Sequence, residues 1–330
     1  MSVRQAPGPF WSRFSNPIFD RRIQMPVSSQ CREVTVIVLL SVVTCTTLRG
    51  QEPAQSRPAA LRQELPPPDD PKEIVRRGLD ADQQNFQLAR DYTYEERVEL
   101  KALDKKGAPK HHEIYTNDVT ILYDEPYSRR IRKDDKPLTE SAEKKEQEKM
   151  DKFVAKYKNE SEGDREKRLA KKEKERQEER AFAGDVMNAY DFRLVGAESV
   201  DGRDAFVIEA NPRKDFHPTQ PYADILPKLR GKIWIDKKDY GWVKMEVETL
   251  DTISWGLFVL RIHKGTQMTF EQVRVNDEIW LPRRISVNAS ARFALFMNGR
   301  FDWESSFSNY KKFTTGVRIL PGVKEVQTNK

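Results

Sequence analysis

The residues that could carry chemistry in this chain are few and dispersed. His111 and His112 are adjacent, and adjacent residues of a strand point to opposite faces of a sheet, so their imidazoles would not easily share a metal ion. His217 and His263 stand singly. The sequence contains no HExxH, GxSxG or P-loop motif, the patterns of zinc proteases, serine hydrolases and phosphate-binding loops. We therefore predict no catalytic residue, no metal site and no cofactor.

Apolar side chains are more informative, because the aromatic ones concentrate between residues 234 and 307. One interpretation is ordinary core packing with cross-strand pairs, each worth about 0.2–1 kcal/mol. The other is that one face of a curved sheet lines an apolar cavity, since apolar ligands need mainly shape and dry area. The candidate cavity residues are Trp234, Val243, Met245, Phe258, Phe270, Phe293, Phe296 and Trp303.

A helix and a series of short strands must position these side chains. Asp70-Pro71-Lys72-Glu73 is typical of a helix start, and the helix is predicted to run to about Arg90. Alternation of apolar and polar residues begins at Tyr92 and predicts strands. Further along, Asp201-Gly202 and Asn298-Gly299 are both two-residue hairpin signals. The predicted fold class is α+β, with a large curved antiparallel sheet that forms an unclosed β-barrel.

A proline-rich segment, Pro212–Leu229, separates two groups of predicted strands. It contains four prolines and is typical of a loop with a short helix. Such a segment could cap the mouth of the curved sheet as a helical lid. The candidate lid residues are Tyr222, Ile225, Leu226 and Leu229.

Residues 140–180 are highly charged, since 14 of these 41 residues are Lys or Arg and 13 are Asp or Glu. Acids followed four residues later by bases favour a helix, and a break near Ser161–Gly163 predicts two helices. We expect a charged helical insertion over residues 136–182. Its apolar stripe has two interpretations. It is either a surface that binds a partner, or a single helical turn that packs on the domain while the rest of the insertion is solvated, and we favour the second. The stripe consists of Met150, Phe153, Val154 and Tyr157.

The N-terminal region differs in character from the remainder. The apolar run Val34–Val43 has a basic flank and ends in small residues before Gly50, which is typical of a secretory signal peptide. Initiation at Met25 would give a signal of ordinary length. A retained membrane anchor and lipidation at Cys45 are the alternatives. The predicted organisation is a signal region (1–50), a proline-rich linker (51–69), a folded domain (70–315) and a C-terminal tail (316–330).

Charge and hydropathy exclude two classes of protein. The net charge is +6, but residues 1–50 hold six basic and two acidic residues, so the folded part is nearly neutral. A general nucleic-acid binder would carry a basic excess there, so nucleic acid is not an expected partner. No run approaches 18 apolar residues, which excludes a multi-span membrane protein. Cleavage after Gly50 would also remove both cysteines.

Three segments carry a resemblance to a known family. Leu194–Ala210 has Gly202-Arg203 at its centre, Gly231–Asp236 reads Gly-Lys-Ile-Trp-Ile-Asp, and Val243–Val247 alternates apolar and charged residues. In these segments the chain resembles the periplasmic outer-membrane lipoprotein-sorting (LolA-like) superfamily. The resemblance extends over roughly 185–310 and, more loosely, 70–135, and it omits the charged insertion.

The resemblance implies a non-enzymatic carrier or sensor in the periplasm. Its expected partners are lipid or lipoprotein acyl chains, held in a hydrophobic cavity of an unclosed barrel. Membrane contact would be peripheral or through an uncleaved N-terminal segment. The alternative is an envelope scaffold without a ligand cavity, which would bind an envelope protein through the charged insertion.

Overall fold

The computed structural model describes residues 70–104, 106–123, 125–220, 222–255, 260–293 and 297–312, of which the side chains at 86, 87, 255, 260, 292, 293, 297 and 298 are not described. The predicted signal region, linker and C-terminal tail lie outside the described residues. Within these ranges, no helix is long and apolar enough to cross a lipid bilayer.

The first helix, α1, spans Pro71–Ala89. The carboxylate of its N-cap, Asp70, accepts a hydrogen bond from the backbone N–H of Lys72 at 3.0 Å, which satisfies one of the free donors at the helix start. The helix bounds agree with the prediction to within about one residue. Its buried apolar side chains are Ile74, Val75 and Leu79.

Thirteen antiparallel strands form one sheet, in the order β4-β3-β2-β1-β13-β12-β11-β8-β7-β6-β5, with β10 paired to β12 and β9 to β10. β4 and β5 are the two ends of this order, so the sheet is unclosed. This confirms the predicted α+β class with a large unclosed antiparallel sheet. The strands are β1 Tyr92–Leu103, β2 Pro109–Leu122, β3 Glu125–Lys133, β4 Lys136–Pro137, β5 Tyr190–Val200, β6 Arg203–Pro212, β7 Leu229–Asp236, β8 Trp242–Thr249, β9 Ile253–Trp255, β10 Leu260–Ile262, β11 Gln267–Val275, β12 Ile279–Phe293 and β13 Met297–Lys312.

The strand register defines two faces, since directly opposite residues of paired strands share a face. We call the face that packs against α1 the inner face and the other the outer face. Most of the core lies on the inner face. α1 covers buried side chains of β6, β7 and β8, including Phe206, Ile235 and Trp242. A second inner cluster lies towards β1 and β2 and contains Tyr94 and Val119.

The two predicted hairpin turns have different outcomes. Asp201 and Gly202 have φ values of 51° and 78°, and Val200 pairs with Arg203, as a two-residue turn of this type requires. Asn298-Gly299 is not a turn: the two residues pair with Arg292 and Ala291 inside the β12–β13 ladder. The register of the two long strands therefore overrides the local turn preference of Asn-Gly.

The charged region forms two helices, α2 (Glu140–Lys158) and α3 (Glu162–Ala189), separated at residues 159–161. The apolar stripe of α2 packs on the sheet. Met150 is buried against Leu122 and Tyr127, while Phe153 and Val154 are partly buried there. The ring of Tyr157 stacks on Tyr123 with 5.9 Å between ring centroids. The stripe is thus engaged within the chain.

α3 connects the two ends of the unclosed sheet. Near its start, Arg168 and Lys172 form ion pairs with Glu125, the first residue of β3. Near its end, Phe182 and Ala189 lie in the α1 cluster beside the β5 end. A helix of 28 residues is about 42 Å long, so α3 acts as a strap across the sheet. The sequence predicts an insertion that packs by one turn and ends at 182; the structure adds this second, long-range attachment.

Candidate ligand-binding groove

An apolar row crosses the inner face over eight strands. Each member is directly opposite the next in the register, so all of them share one face. The row has no charged or hydrogen-bonding side chain apart from the indole N–H of its tryptophan. We call it the central row; in order across the sheet it consists of Leu100, Trp303, Val287, Met268, Val247, Gly231, Ala210 and Phe192.

Several apolar side chains near the middle of the inner face are only partly covered, although Met268 of the central row is buried. Five apolar side chains from β8, β11, β12 and β13 are only partly buried. Ile285, directly opposite Phe270 on β12, is buried, and so are Ile233 and Val98 on the flanking strands β7 and β1. Partly covered apolar surface flanked by filled core is typical of a binding groove. These five are called the groove residues: Met245, Val247, Phe270, Val287 and Trp303.

Three of the candidate cavity residues, Met245, Phe270 and Trp303, are groove residues. Met245 and Phe270 are directly opposite each other on β8 and β11. Trp303 and Phe270 also pack against the second inner cluster. Phe258 and Phe296 lie outside the described residues, as does the side chain of Phe293.

Trp234 and Val243 lie instead on the outer face, in a cluster with Ala205, Val207 and Trp280. The cause is a register shift: Trp234 opposes Lys244, but Ile235 opposes Trp242, which leaves Val243 as the extra residue of β8. Such a bulge moves a side chain to the other face. The simple alternation of Val243, Met245 and Val247 in the sequence predicts one common face, and the bulge separates Val243 from the other two.

Charged side chains cover the outer cluster. The ammonium groups of Lys232 and Lys244 lie 5.0 and 4.6 Å from the ring centroid of Trp234. The Trp234 indole N–H donates to Glu198 at 2.8 Å. A depression of about 260 Å³ elsewhere on this face is lined mainly by polar residues, among them Glu99, Lys101 and Asp302, together with Val287 and Trp303. Neither feature offers an apolar ligand a dry surface.

The candidate lid residues lie over one end of the inner face. A 3-10 helix spans Ala223–Lys228. Ile225, Tyr222 and Leu229 pack with Ile253, Ile262, Ala291 and Phe301. Leu226 belongs to the α1 cluster. The segment therefore joins two parts of the inner face, as a cover would.

One buried carboxylate anchors the loop before this 3-10 helix. Asp185 of α3 is 3% exposed. It accepts hydrogen bonds from the backbone N–H and hydroxyl of Thr219, at 2.8 and 2.7 Å, and from the N–H of Gln220 at 2.9 Å. The strap thus holds the cover in place.

We expect Asp185→Ala to release this loop while leaving the sheet folded. The three hydrogen bonds are partly buried and contribute about 1 kcal/mol each. Without their acceptor, the donors of the loop can turn to water instead. The amides of Thr219 and Gln220 should therefore exchange with deuterium much faster, while the amides of β6 and β7 keep their protection. Unchanged exchange at Thr219 and Gln220 would contradict the anchoring role.

Two acids lie on the inner side of the molecule and were missed by reasoning from the sequence. Burial raises the pKa of Glu96 to about 7, against the opposing effect of hydrogen bonds from Ser305 (2.9 Å) and Asn117 (3.5 Å). Burial also raises the pKa of Asp82 on α1 to about 8. The sequence did carry a signal. Glu96 shares its parity with Tyr94 and Val98, and Asp82 lies at helical spacing from Val75 and Leu79.

In the part of the chain that the structure describes, no three His, Cys, Asp or Glu side chains are grouped to hold a metal ion. The Nε2 atom of His112 lies 2.9 Å from an oxygen of Glu99, and His111 lies 3.8 Å from Glu113. Each histidine thus has a different carboxylate neighbour.

No protein-family model and no curated protein matches the sequence. Solved structures similar to this chain include a LolA superfamily protein from Nitrosomonas europaea, with 12% identity over 76% of this chain and 94% of that one and a TM-score of 0.26. A DUF1329 family protein from Desulfovibrio piger has 13% identity, coverage of 76% and 95%, and a TM-score of 0.27. A putative outer membrane lipoprotein-sorting protein domain from Vibrio parahaemolyticus has 15% identity, coverage of 74% and 95%, and a TM-score of 0.25. The first and third structures are described as LolA-like or lipoprotein-sorting proteins. The α+β class of this chain is established by its own strand order and register.

Proposed function

We propose that this protein is a non-enzymatic carrier or sensor that binds an acyl chain of a lipid or lipoprotein along its inner face. The observation that carries the proposal is the set of partly buried groove residues on four adjacent strands, around the buried side chains of Met268 and Ile285. An acyl chain laid on them would remove apolar surface from water on both partners. Each buried methylene contributes about 0.8 kcal/mol, so a chain of ordinary length gains ample binding energy.

The chemistry of the groove suits a chain rather than a reacting group. The central row contains no nucleophile, and its neighbours are aliphatic or aromatic. Gly231 contributes no side chain to the row and leaves space there, since a Cβ at this position would meet nothing closer than Glu246 O at 3.4 Å. An apolar, shape-determined site of this kind binds without converting its ligand.

We further infer export to the periplasm from the signal-like residues 25–50. Acyl chains carried in the envelope need shielding from water, which a cover over one end of the inner face provides. The alternative function, an envelope scaffold that binds a protein through the insertion, has weaker support. Its apolar stripe from Met150 to Tyr157 packs on the chain's own strands β2 and β3.

The first test is native mass spectrometry with lipid extraction on the full chain purified from a bacterial periplasm. We expect a stoichiometric lipid or acylated peptide. Wild type should also bind N-phenyl-1-naphthylamine, a neutral apolar fluorophore. Val287→Glu should weaken that binding by about tenfold or more, which corresponds to about 1.4 kcal/mol, because it places a carboxylate in the groove.

Two further variants make the result interpretable. Ser290→Glu is the matched control, since it adds the same charge to the same strand at an exposed outer-face position opposite Arg300. It should keep the wild-type affinity. Gly231→Leu fills the central row with bulk instead of charge and should also weaken binding. Equal affinities for all four proteins, each with an intact thermal transition, would refute the groove.

A further inference from the structure

Asp82 is a buried carboxyl group that the fold itself does not use. It lies on α1, one turn after Leu79 and one turn before Asn85, and is 8% exposed. It has no hydrogen-bond or ion-pair partner among the described residues. The neighbouring cations of α1 are engaged elsewhere: Arg76 binds Glu73 and Asp80, and Arg77 binds Glu73 and the hydroxyl of Tyr240.

An unpaired carboxyl group at a buried helix position lowers the stability of the folded state. Transfer of such a group from water costs several kcal/mol when ionised and unpaired, and its pKa rises as a result. Val75 and Leu79 occupy the same face of α1 and are apolar. Leucine at position 82 would continue their stripe without that cost. Groups that lower stability in this way are typical of functional sites.

Its neighbours on α1 place Asp82 between β8 and β12, on the side of the sheet that carries the groove. Leu79 lies in the cluster against which the groove residue Met245 packs. Asn85 is fixed to β12, because it accepts from the backbone N–H of Trp280 at 2.7 Å and donates to the carbonyl of the same residue. α1 therefore passes from β8 to β12 around Asp82 and crosses β11 near Arg274, the partner of Trp280, four residues along the strand from Phe270.

We propose that Asp82 receives the head group of the ligand and that this head group is an amine, so that the natural ligand is an amphiphile with an acyl or alkyl chain and a primary ammonium group. The inference rests on the proposed function, because it assigns the polar end of the ligand whose chain occupies the groove. An ammonium group supplies both the positive charge and the hydrogen-bond donors that a buried carboxylate lacks. A carboxylate head group would supply neither the charge nor the donor, and a hydroxyl would supply a donor without the charge.

The test compares three probes that share a twelve-carbon chain: dodecylamine, dodecanol and dodecanoate. Binding to the full chain is measured by displacement of N-phenyl-1-naphthylamine. For wild type we expect dodecylamine to bind about tenfold or more tightly than either other probe, a difference of about 1.4 kcal/mol. Asp82→Asn should abolish that preference and leave the affinity for dodecanol within about twofold, since the chain-binding surface is untouched.

Glu96→Gln is the matched control, because Glu96 is also a buried inner-face acid but already accepts hydrogen bonds from Ser305 and Asn117. It should retain the preference for dodecylamine. Equal affinities of wild type for the three probes, or an unchanged preference in Asp82→Asn, would overturn the role of Asp82 and leave the groove in place. Failure of wild type to bind any of the three would instead refute the proposed function, and this inference with it.

Discussion

The free energy of unfolding should fall as the pH rises from 5 to 8, by about 6 kcal/mol. Burial raises the pKa of Asp82 to about 8 and that of Glu96 to about 7, whereas the unfolded chain has ordinary values near 4. Between these limits the folded state binds more protons than the unfolded state. The stabilising contribution is therefore complete below the unfolded pKa and is lost as pH rises through the folded pKa, at up to about 1.4 kcal/mol per pH unit for each group.

Other carboxylates act in the opposite direction and at lower pH. Hydrogen bonds from Lys101 and Arg97 lower the pKa of Glu99 to about 2, and Arg97 lowers that of Asp135. Their contribution is present above the unfolded pKa and is lost as pH falls through the folded pKa. Burial also raises the pKa of Asp118, so the descending limb between pH 5 and 8 belongs chiefly to Asp82 and Glu96, whose pKa values are raised furthest.

Urea denaturation at half-unit pH intervals measures this limb. The double variant Asp82→Asn/Glu96→Gln keeps the size of both side chains and removes both titrations, so its free energy of unfolding should be nearly constant over the same range. A wild-type slope that persists in the double variant would show that neither acid is responsible.

Loss of the carboxylate at Glu125 should destabilise the protein by about 3–5 kcal/mol, the usual cost of breaking a buried ion pair on one side. The Lys172 ammonium forms a close ion pair with Glu125, and their side chains are 8% and 14% exposed. Arg168 lies 3.0 Å from the same carboxylate and also binds Glu160 at 2.7 Å. Glu125→Gln removes the carboxylate that pairs with Lys172 and loosens the β3 end of the strap.

A matched control lies on the same helix. Lys174 and Glu178 form an exposed pair at 3.8 Å, and Glu178→Gln should cost less than about 1 kcal/mol. Adding Lys172→Met to Glu125→Gln should recover much of the lost stability, because it removes the buried charge as well. Hydrogen exchange should show the loss first in α3. An effect of Glu125→Gln no larger than that of Glu178→Gln would contradict the role of the pair.

The sequence by itself determined the elements that depend on nearby residues. The helix start at Asp70 follows from one side chain and the backbone two residues on. The Asp201-Gly202 turn follows from two residues that tolerate positive φ. The alternation of β1 predicted which of its side chains face inward, and the charge pattern predicted two helices with a break near Ser161. These features follow from local conformational preferences, so the amino-acid sequence alone is sufficient to predict them.

Only the tertiary structure decided the features that depend on distant partners. The register of β12 and β13 moved a turn away from Asn298-Gly299, and a bulge in β8 turned Val243 to the outer face. The ion pair between Lys172 and Glu125 joins residues 47 positions apart. It attaches α3 to the sheet, whereas the charged composition of α3 predicts a solvated helix. Burial of Asp82 likewise follows from where α1 lies on the sheet. Charge and periodicity are properties of residues that are close in sequence. Burial and ion pairing depend on which distant residues the folded sheet places next to a side chain.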